Sequence, residues 1–420
     1  MKKARSAQLL LLLTVSTNVI DCSGQSSPFW GDLEPGPYEV GYRDTILYKQ
    51  DEHFKFKNYD AAKPFFTMIW YPAKPAPGTP DMTLIDYWRF NGSEQCSELY
   101  SRWHKNFADV QDTFSLARIQ NVVGFPSGLS SKVLFDSITA TTVHAKYRIP
   151  AVEGRFPCVL FHHGAQGMPD ENSVTCEFLA SHGFVVVSSS FSWPLEDHGW
   201  HTSVTDTTFD AATDIGFMAE KAGAAVGVDA EHLFAIGHSW GAQELIAFDA
   251  RKEKPFKSII ALHTTLEPFD LETARKYWGS LVTLMQDSAG AMTTPTCILA
   301  PTDLDLPDTL IGKVPSDLNS LQPYLSLPAY APFRGNKTTP YSFITVRYPL
   351  GHDEFISLGL RTEPLLPGYI TARGTDLSKE QESFEHVASL CLAIISSKVT
   401  GQPFDPKAHS GYFTFETVNP

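Results

Sequence analysis

The chain is predicted to be an α/β protein with a mainly parallel sheet, helices on both faces and antiparallel strands added at its N-terminal edge. Three observations carry this. From about residue 155, strand-length apolar runs alternate with helix-length segments. The run "HLFAI" passes through "GHSWG" directly into the helix-forming "AQELIAFDA". The composition, 43% hydrophobic and 19% charged, is that of a packed globular chain. At 420 residues several average domains would fit, but α/β folds often run well past about 200 residues as one. A single domain over 25–420 is the simplest organisation.

Residues 1–24 stand apart. Lys2, Lys3 and Arg5 precede "LLLLLTV", and small and polar residues follow. That layout predicts a secretory signal, too short for a spanning helix. Cys22 stands at the distance expected of a lipid-modified cysteine, but Asp21 occupies the place of the small residue such processing needs, so simple cleavage nearby is the competing expectation. The mature protein is accordingly expected to be exported: periplasmic, secreted or lipid-anchored at the cell envelope. Loss of Lys2, Lys3, Arg5 and Asp21 takes the formal charge from -14 to about -16. A chain this acidic, without a basic stripe, is a poor nucleic-acid partner.

Taken in order, "YEVGYRDTILY" and "FFTMIWYPA" read as a strand pair, of the antiparallel kind that extends one edge of a sheet. Residues 74–82, rich in proline, glycine and alanine, read as a surface loop, and the aromatic-rich stretch around 84–130 as a helical insertion too small to be a domain. "RFPCVLFHHG" reads as a buried strand ending in a glycine turn, "SVTCEFLASHG" as a helix stopped by Gly183, and "FVVVSSS" as the next strand. The amphipathic "FDAATDIGFMAEKAGAAVG" precedes the strand that enters the Ser239 turn. Further strands are expected at "KSIIAL", "PTCILAP" and "SFITVRYP", and a last helix over "SKEQESFEHVASLCLAIISSKV". Cys158, Cys297 and Cys391 fall in apolar runs that predict core packing rather than disulfides; Cys96 and Cys176 have no assignment.

Ser239 lies between Gly237 and Gly241 on a strand-to-helix turn, the geometry that lifts a nucleophilic oxygen clear of the backbone. Its competing reading is an ordinary tight turn. A serine hydroxyl needs a base, and His352, in "YPLGHDEF" after a strand and a glycine turn, is placed to be one; His263 and His409 are among the other histidines downstream. A carboxylate should orient the base. Asp303, in the loop after "PTCILAP", leads, with Glu267 and Asp305 as alternatives. The oxyanion would be received by the N–H of Trp240, after the nucleophile, and of Ala165, in the turn of "HHGAQG". His162 with His163, and His198 with His201, lack a carboxylate or cysteine at a ligand spacing, so no metal is expected.

With "GPYEVGYRD", "IWYPA", "FPCVLFHHGAQG", "LASHGFVVVS", "GHSWGA" and "GHDEF" in hand, roughly residues 35–400 resemble the platelet-activating-factor acetylhydrolase branch of the α/β-hydrolases, near the dienelactone hydrolase-like proteins. The resemblance implies a serine esterase without cofactor, in which Ser239, His352, Ala165 and Trp240 carry the chemistry. One departure stands out: where that branch has its triad aspartate, this chain has His263. In dienelactone hydrolases the acid follows the next strand, where Asp303 lies. The expectation is thus an exported esterase for a small, lipid-like ester with a short acyl group, acting through an acyl-enzyme, with any membrane contact made through lipid on Cys22. Its rivals are an amidase or peptidase using the same triad and a noncatalytic ligand-binding lipoprotein.

Overall fold

The structure is a computed structural model that describes residues 27–90, 99–100, 131–165, 167–191, 193–194, 200–201, 211–249, 254–264, 266, 272, 292–300, 341–346, 352, 355, 357 and 376–418. Its strands are β1 (Glu39–Phe56), β2 (Tyr59–Ala73), β3 (Ala145–Tyr147), β4 (Phe156–His162), β5 (Val185–Ser189), β6 (Trp193–Pro194), β7 (Trp200–His201), β8 (Val228–His238), β9 (Ile259–Leu262), β10 (Thr296–Ala300), β11 (Tyr341–Val346) and β12 (Phe413–Val418). The helices are α1 (Leu84–Tyr87), α2 (Ser131–Thr139), α3 (Ser173–Ser181), α4 (Ala211–Gly223), α5 (Trp240–Asp249) and α6 (Leu377–Thr400).

One ten-stranded sheet runs in the order β12-β11-β10-β9-β8-β4-β5-β2-β1-β3. The stretch from β11 to β5 is parallel throughout. β2 joins β5 antiparallel, and β1 folds back along β2 in a long hairpin. β12 closes the far edge antiparallel to β11. Alternate residues of each central strand feed opposite layers, as period-two geometry requires. Val159 and Phe161 of β4 pack with Phe178 of α3 and with Phe384, Val387 and Ile395 of α6. Cys158 and Leu160 pack with Ile215 and Met218 of α4 and Leu245 and Phe248 of α5. Both faces are therefore covered, which is why the strands read as continuous apolar runs. Cys158 and Cys391 are buried and Cys297 half-buried, all three as free thiols.

Two buried polar networks fasten the N-terminal strands to the rest. Glu177 of α3 accepts from Trp30 Nε1 (2.9 Å), Tyr87 Oη (2.5 Å) and the His144 backbone N–H (3.2 Å). Asp214 of α4 pairs with Lys49 of β1 (3.0 Å) and Lys63 of β2 (2.7 Å), both of which also reach Glu52. Of the expected insertion, α1 and residues 99–100 are helical, and residues 91–98 and 101–130 lie outside the described residues. β12 was not expected, although the alternation in "YFTFETV" is a strand signal. Among the described residues no helix is long and apolar enough to cross a membrane.

Candidate active site

The site lies at the C-terminal ends of β4, β8 and β9, the usual place for ligands in open parallel sheets. Ser239 follows β8 with φ 53°, a left-handed conformation that costs an L residue roughly 1 to 2 kcal/mol and persists only where its surroundings impose it. The surroundings are specific. Ser239 N–H donates to Leu262 O (2.9 Å) and Ser239 O accepts from Gln243 N–H of α5 (3.2 Å). A Cβ on Gly241 would lie 2.5 Å from the carbonyl oxygens of both His162 and His163, and one on Gly237 2.7 Å from the backbone of Gly241 and Ala242. The two glycines are thus required by the close approach of α5 to β4 and β8.

His352 Nε2 is 2.9 Å from Ser239 Oγ. His352 Nδ1 is 2.9 Å from Nδ1 of His263, the residue that follows β9. His263 is buried and also has a positive φ, 44°; its N–H donates to Leu299 O (2.8 Å), and Gln243 Nε2 donates to the neighbouring Thr264 O. Burial first, and then the adjacent His352 and His238 rings, pushes the pKa of His263 well below the ordinary histidine range, so its ring is neutral. Asp303, Asp305 and Glu267, the carboxylates expected to orient His352, lie outside the described residues.

A second histidine stands against the base from the other side. The His238 ring, at the end of β8, is centred 4.7 Å from that of His352. His238 Nε2 donates to the His352 carbonyl (3.0 Å), and its Nδ1 is 3.0 Å from Oε1 of buried Glu171. The same carboxylate accepts from Gly164 N–H at 2.9 and 3.1 Å. Glu171 therefore ties the turn after β4 to the backbone of the base. Two further bonds reinforce that tie, from Ser357 Oγ to Glu171 O (3.1 Å) and from Asn172 Nδ2 to Phe355 O (3.3 Å).

That turn passes close to the nucleophile: a Cβ on Gly164 would lie 3.3 Å from Ser239 Cβ. Ala165 comes next and is exposed. Trp240 opens α5, so its N–H belongs to the first helical turn, whose N–H groups lack intrahelical acceptors. Its indole donates to Glu244 Oε1 (2.6 Å). Of the histidines considered for a metal, His162 lies 2.8 Å from Glu244 Oε2 and stacks on Phe191. His163 donates from Nδ1 to Gly164 O and accepts the Phe191 N–H on Nε2, with a pKa lowered to about 4 by burial and the neighbouring His162. His198 lies outside the described residues, and among those described no group of three or more histidine, cysteine or acidic residues is arranged to hold a metal.

A serine on a strained strand-to-helix turn, a histidine on its hydroxyl and this sheet order define the α/β-hydrolase fold. The chain is similar to several known proteins. A family model described as chlorophyllase matches residues 138–269. The ferulic acid esterase of Streptomyces cinnamoneus superposes over 91% of this chain and 98% of its own, with a TM-score of 0.55 at 14% identity. An acylaminoacyl peptidase of Pyrococcus horikoshii matches over 62% of this chain and 40% of its own (TM-score 0.40, 14% identity). Est1E of Butyrivibrio proteoclasticus matches over 50% and 86% (TM-score 0.32, 16% identity). No curated protein matches the chain.

Sequence reasoning missed Glu171 and His238. His238 was visible only as the variable residue of the elbow, and Glu171 sits in "MPDENS" without a motif around it.

Proposed function

We propose that the chain is an exported serine esterase, related in mechanism to the platelet-activating-factor acetylhydrolase group, that cleaves a small, lipid-like carboxylic ester with a short acyl group. The observation that carries the reading is the 2.9 Å contact between Ser239 Oγ and His352 Nε2 on the elbow. Ser239 attacks the ester carbonyl and its proton passes to His352; the oxyanion that forms is received by Trp240 and Ala165 N–H. Collapse expels the alcohol, which takes the proton from His352, and leaves the acyl group on Ser239. His352 then deprotonates water, which attacks the acyl-enzyme, and the released acid restores Ser239. The ferulic acid esterase whose fold the chain shares carries the same bond class in its name. The signal-like residues 1–24 support export, with Cys22 as the site of any lipid anchor.

The test is hydrolysis of p-nitrophenyl esters of increasing acyl length. The mature protein is expected to prefer acetate and butyrate, and Ser239→Ala to lower kcat by about 10⁴-fold or more. Wild-type protein that is folded, hydrolyses no ester and takes up no serine-reactive phosphonate would refute the esterase.

A further inference from the structure

We propose that His263 is the third member of the catalytic group, a neutral imidazole acting where such sites ordinarily place a carboxylate; the inference rests on Ser239 and His352 being the catalytic pair. The hydrogen-bond directions require it to accept. For His352 Nε2 to take the proton of Ser239, that nitrogen must carry a lone pair, so the His352 proton sits on Nδ1. This Nδ1–H points at His263 Nδ1, 2.9 Å away, which must then offer its own lone pair and keep its proton on Nε2. A ring held neutral by burial can do so, whereas an imidazolium could not. Among the described residues, the group that meets His352 Nδ1 is the His263 ring.

The fold holds the ring in this place. His263 is fixed from four sides: its N–H on Leu299 O, the neighbouring Thr264 carbonyl on Gln243, its ring against Phe355 at a 5.7 Å centroid distance, and its backbone beside the Leu262 carbonyl that accepts Ser239 N–H. The same strand end therefore shapes both the elbow and the group that orients the base. The charged and titratable groups that face this assembly among the described residues are Ser239, His352 and His238, with Glu171 one bond further on, spent on His238 and Gly164.

His263 is thus a positioning residue with a chemical signature. It selects the productive tautomer of His352 and stabilises the transient imidazolium by a dipole instead of a full charge. The His352 base should consequently stay unprotonated, and the enzyme active, to lower pH than with a carboxylate in this place.

The test compares wild type with His263→Ala, His263→Gln, His263→Asp and Asp303→Asn, each checked for folding by thermal melting. His263→Ala is expected to lower kcat roughly 100-fold with KM changed by less than about twofold, since the ring orients the base without touching substrate. His263→Gln, which retains an acceptor, should recover part of that loss. His263→Asp should move the acidic limb of the kcat/KM profile up by about one pH unit or more, because a carboxylate favours the protonated base. Folded His263 variants with wild-type kcat and an unmoved acidic limb overturn the proposal, and so does collapse of activity in Asp303→Asn alone. If phosphonate labels wild-type Ser239 quickly but His263→Ala at the same rate, the catalytic pair stands and the role of His263 falls. Absence of both hydrolysis and labelling in wild type removes the pair itself, and the proposal with it.

Discussion

The two sides of the His352 imidazole are built from opposite materials. On its Nδ1 side stands a neutral ring, His263, joined through a single proton. On the other stands His238, both of whose nitrogens face acceptors: the His352 carbonyl and a carboxylate oxygen of Glu171. The carbonyl only accepts, so Nε2 donates to it, and Nδ1 faces the Glu171 carboxylate. Glu171 is therefore directed to the turn that carries Ala165 and, through His238, to the backbone of the base, and not to the His352 ring. The difference separates two tasks that one aspartate commonly performs: placing the base falls to a charged, three-way tie, and choosing its tautomer to an uncharged ring.

The sharpest way to break this comparison is to remove the tie. Glu171→Ala strips the acceptor from Gly164 N–H and from His238 Nδ1 at once, leaving two buried donors unpaired. A loss of about 3 kcal/mol in stability is expected from breaking one partner of a buried pair. A loss of about 100-fold in kcat should accompany it, since displacement of the base by as little as about 1 Å costs that much. Denaturant titration and ester kinetics on the same preparation check both. Glu171→Gln keeps an oxygen for Gly164 and an N–H for His238, so it should retain most of the activity. Equal damage from Gln and Ala would mean that charge, and not placement, is what Glu171 contributes.

A buried charge cluster in another part of the fold supplies the control. Asp214, fully buried, is paired with Lys49 and Lys63, and burial raises its pKa in spite of the two ammonium groups. Lys63→Met should cost about 3 kcal/mol in stability, comparable to Glu171→Ala, and leave kcat unchanged. Were kcat to fall as well, the loss in the Glu171 variant could be attributed to general loosening of the sheet.

How much of this was legible in the sequence follows from the range of the interactions. The elbow was legible because its requirement is local: Gly237 and Gly241 flank Ser239 in five residues, and the clash each avoids is with elements the alternation already announced. The central strands were legible because burial on both faces turns them into unbroken apolar runs. His352 could be picked out by its place after a strand and glycine turn, though nothing local places it on Ser239, 113 residues away. His263 was noticed only as the residue found where an aspartate belonged; that its ring meets His352, 89 residues on, is a property of the assembled sheet. Glu171 had no signal at all, since an acidic residue in a polar turn is unremarkable until the chain folds it onto a histidine 67 residues later.

The smallest effect concerns histidines that, like His263, are kept neutral. His163 and His144 both have pKa values lowered to about 4, mainly by burial, against 6.5 in an unfolded chain. Between those values the unfolded chain takes up protons that the folded one refuses, so stability is complete above about pH 6.5 and falls as the pH drops toward 4. Below about 4 both states are protonated and this contribution to the slope ends. Each such histidine adds at most about 1.4 kcal/mol per pH unit to the slope. His163→Gln, which can still donate to Gly164 O and accept from Phe191 N–H, should remove the share of one histidine from the dependence measured by denaturant unfolding between pH 6.5 and 4.5. A slope identical to wild type would show that the His163 ring takes up its proton in the folded protein as readily as in the unfolded chain.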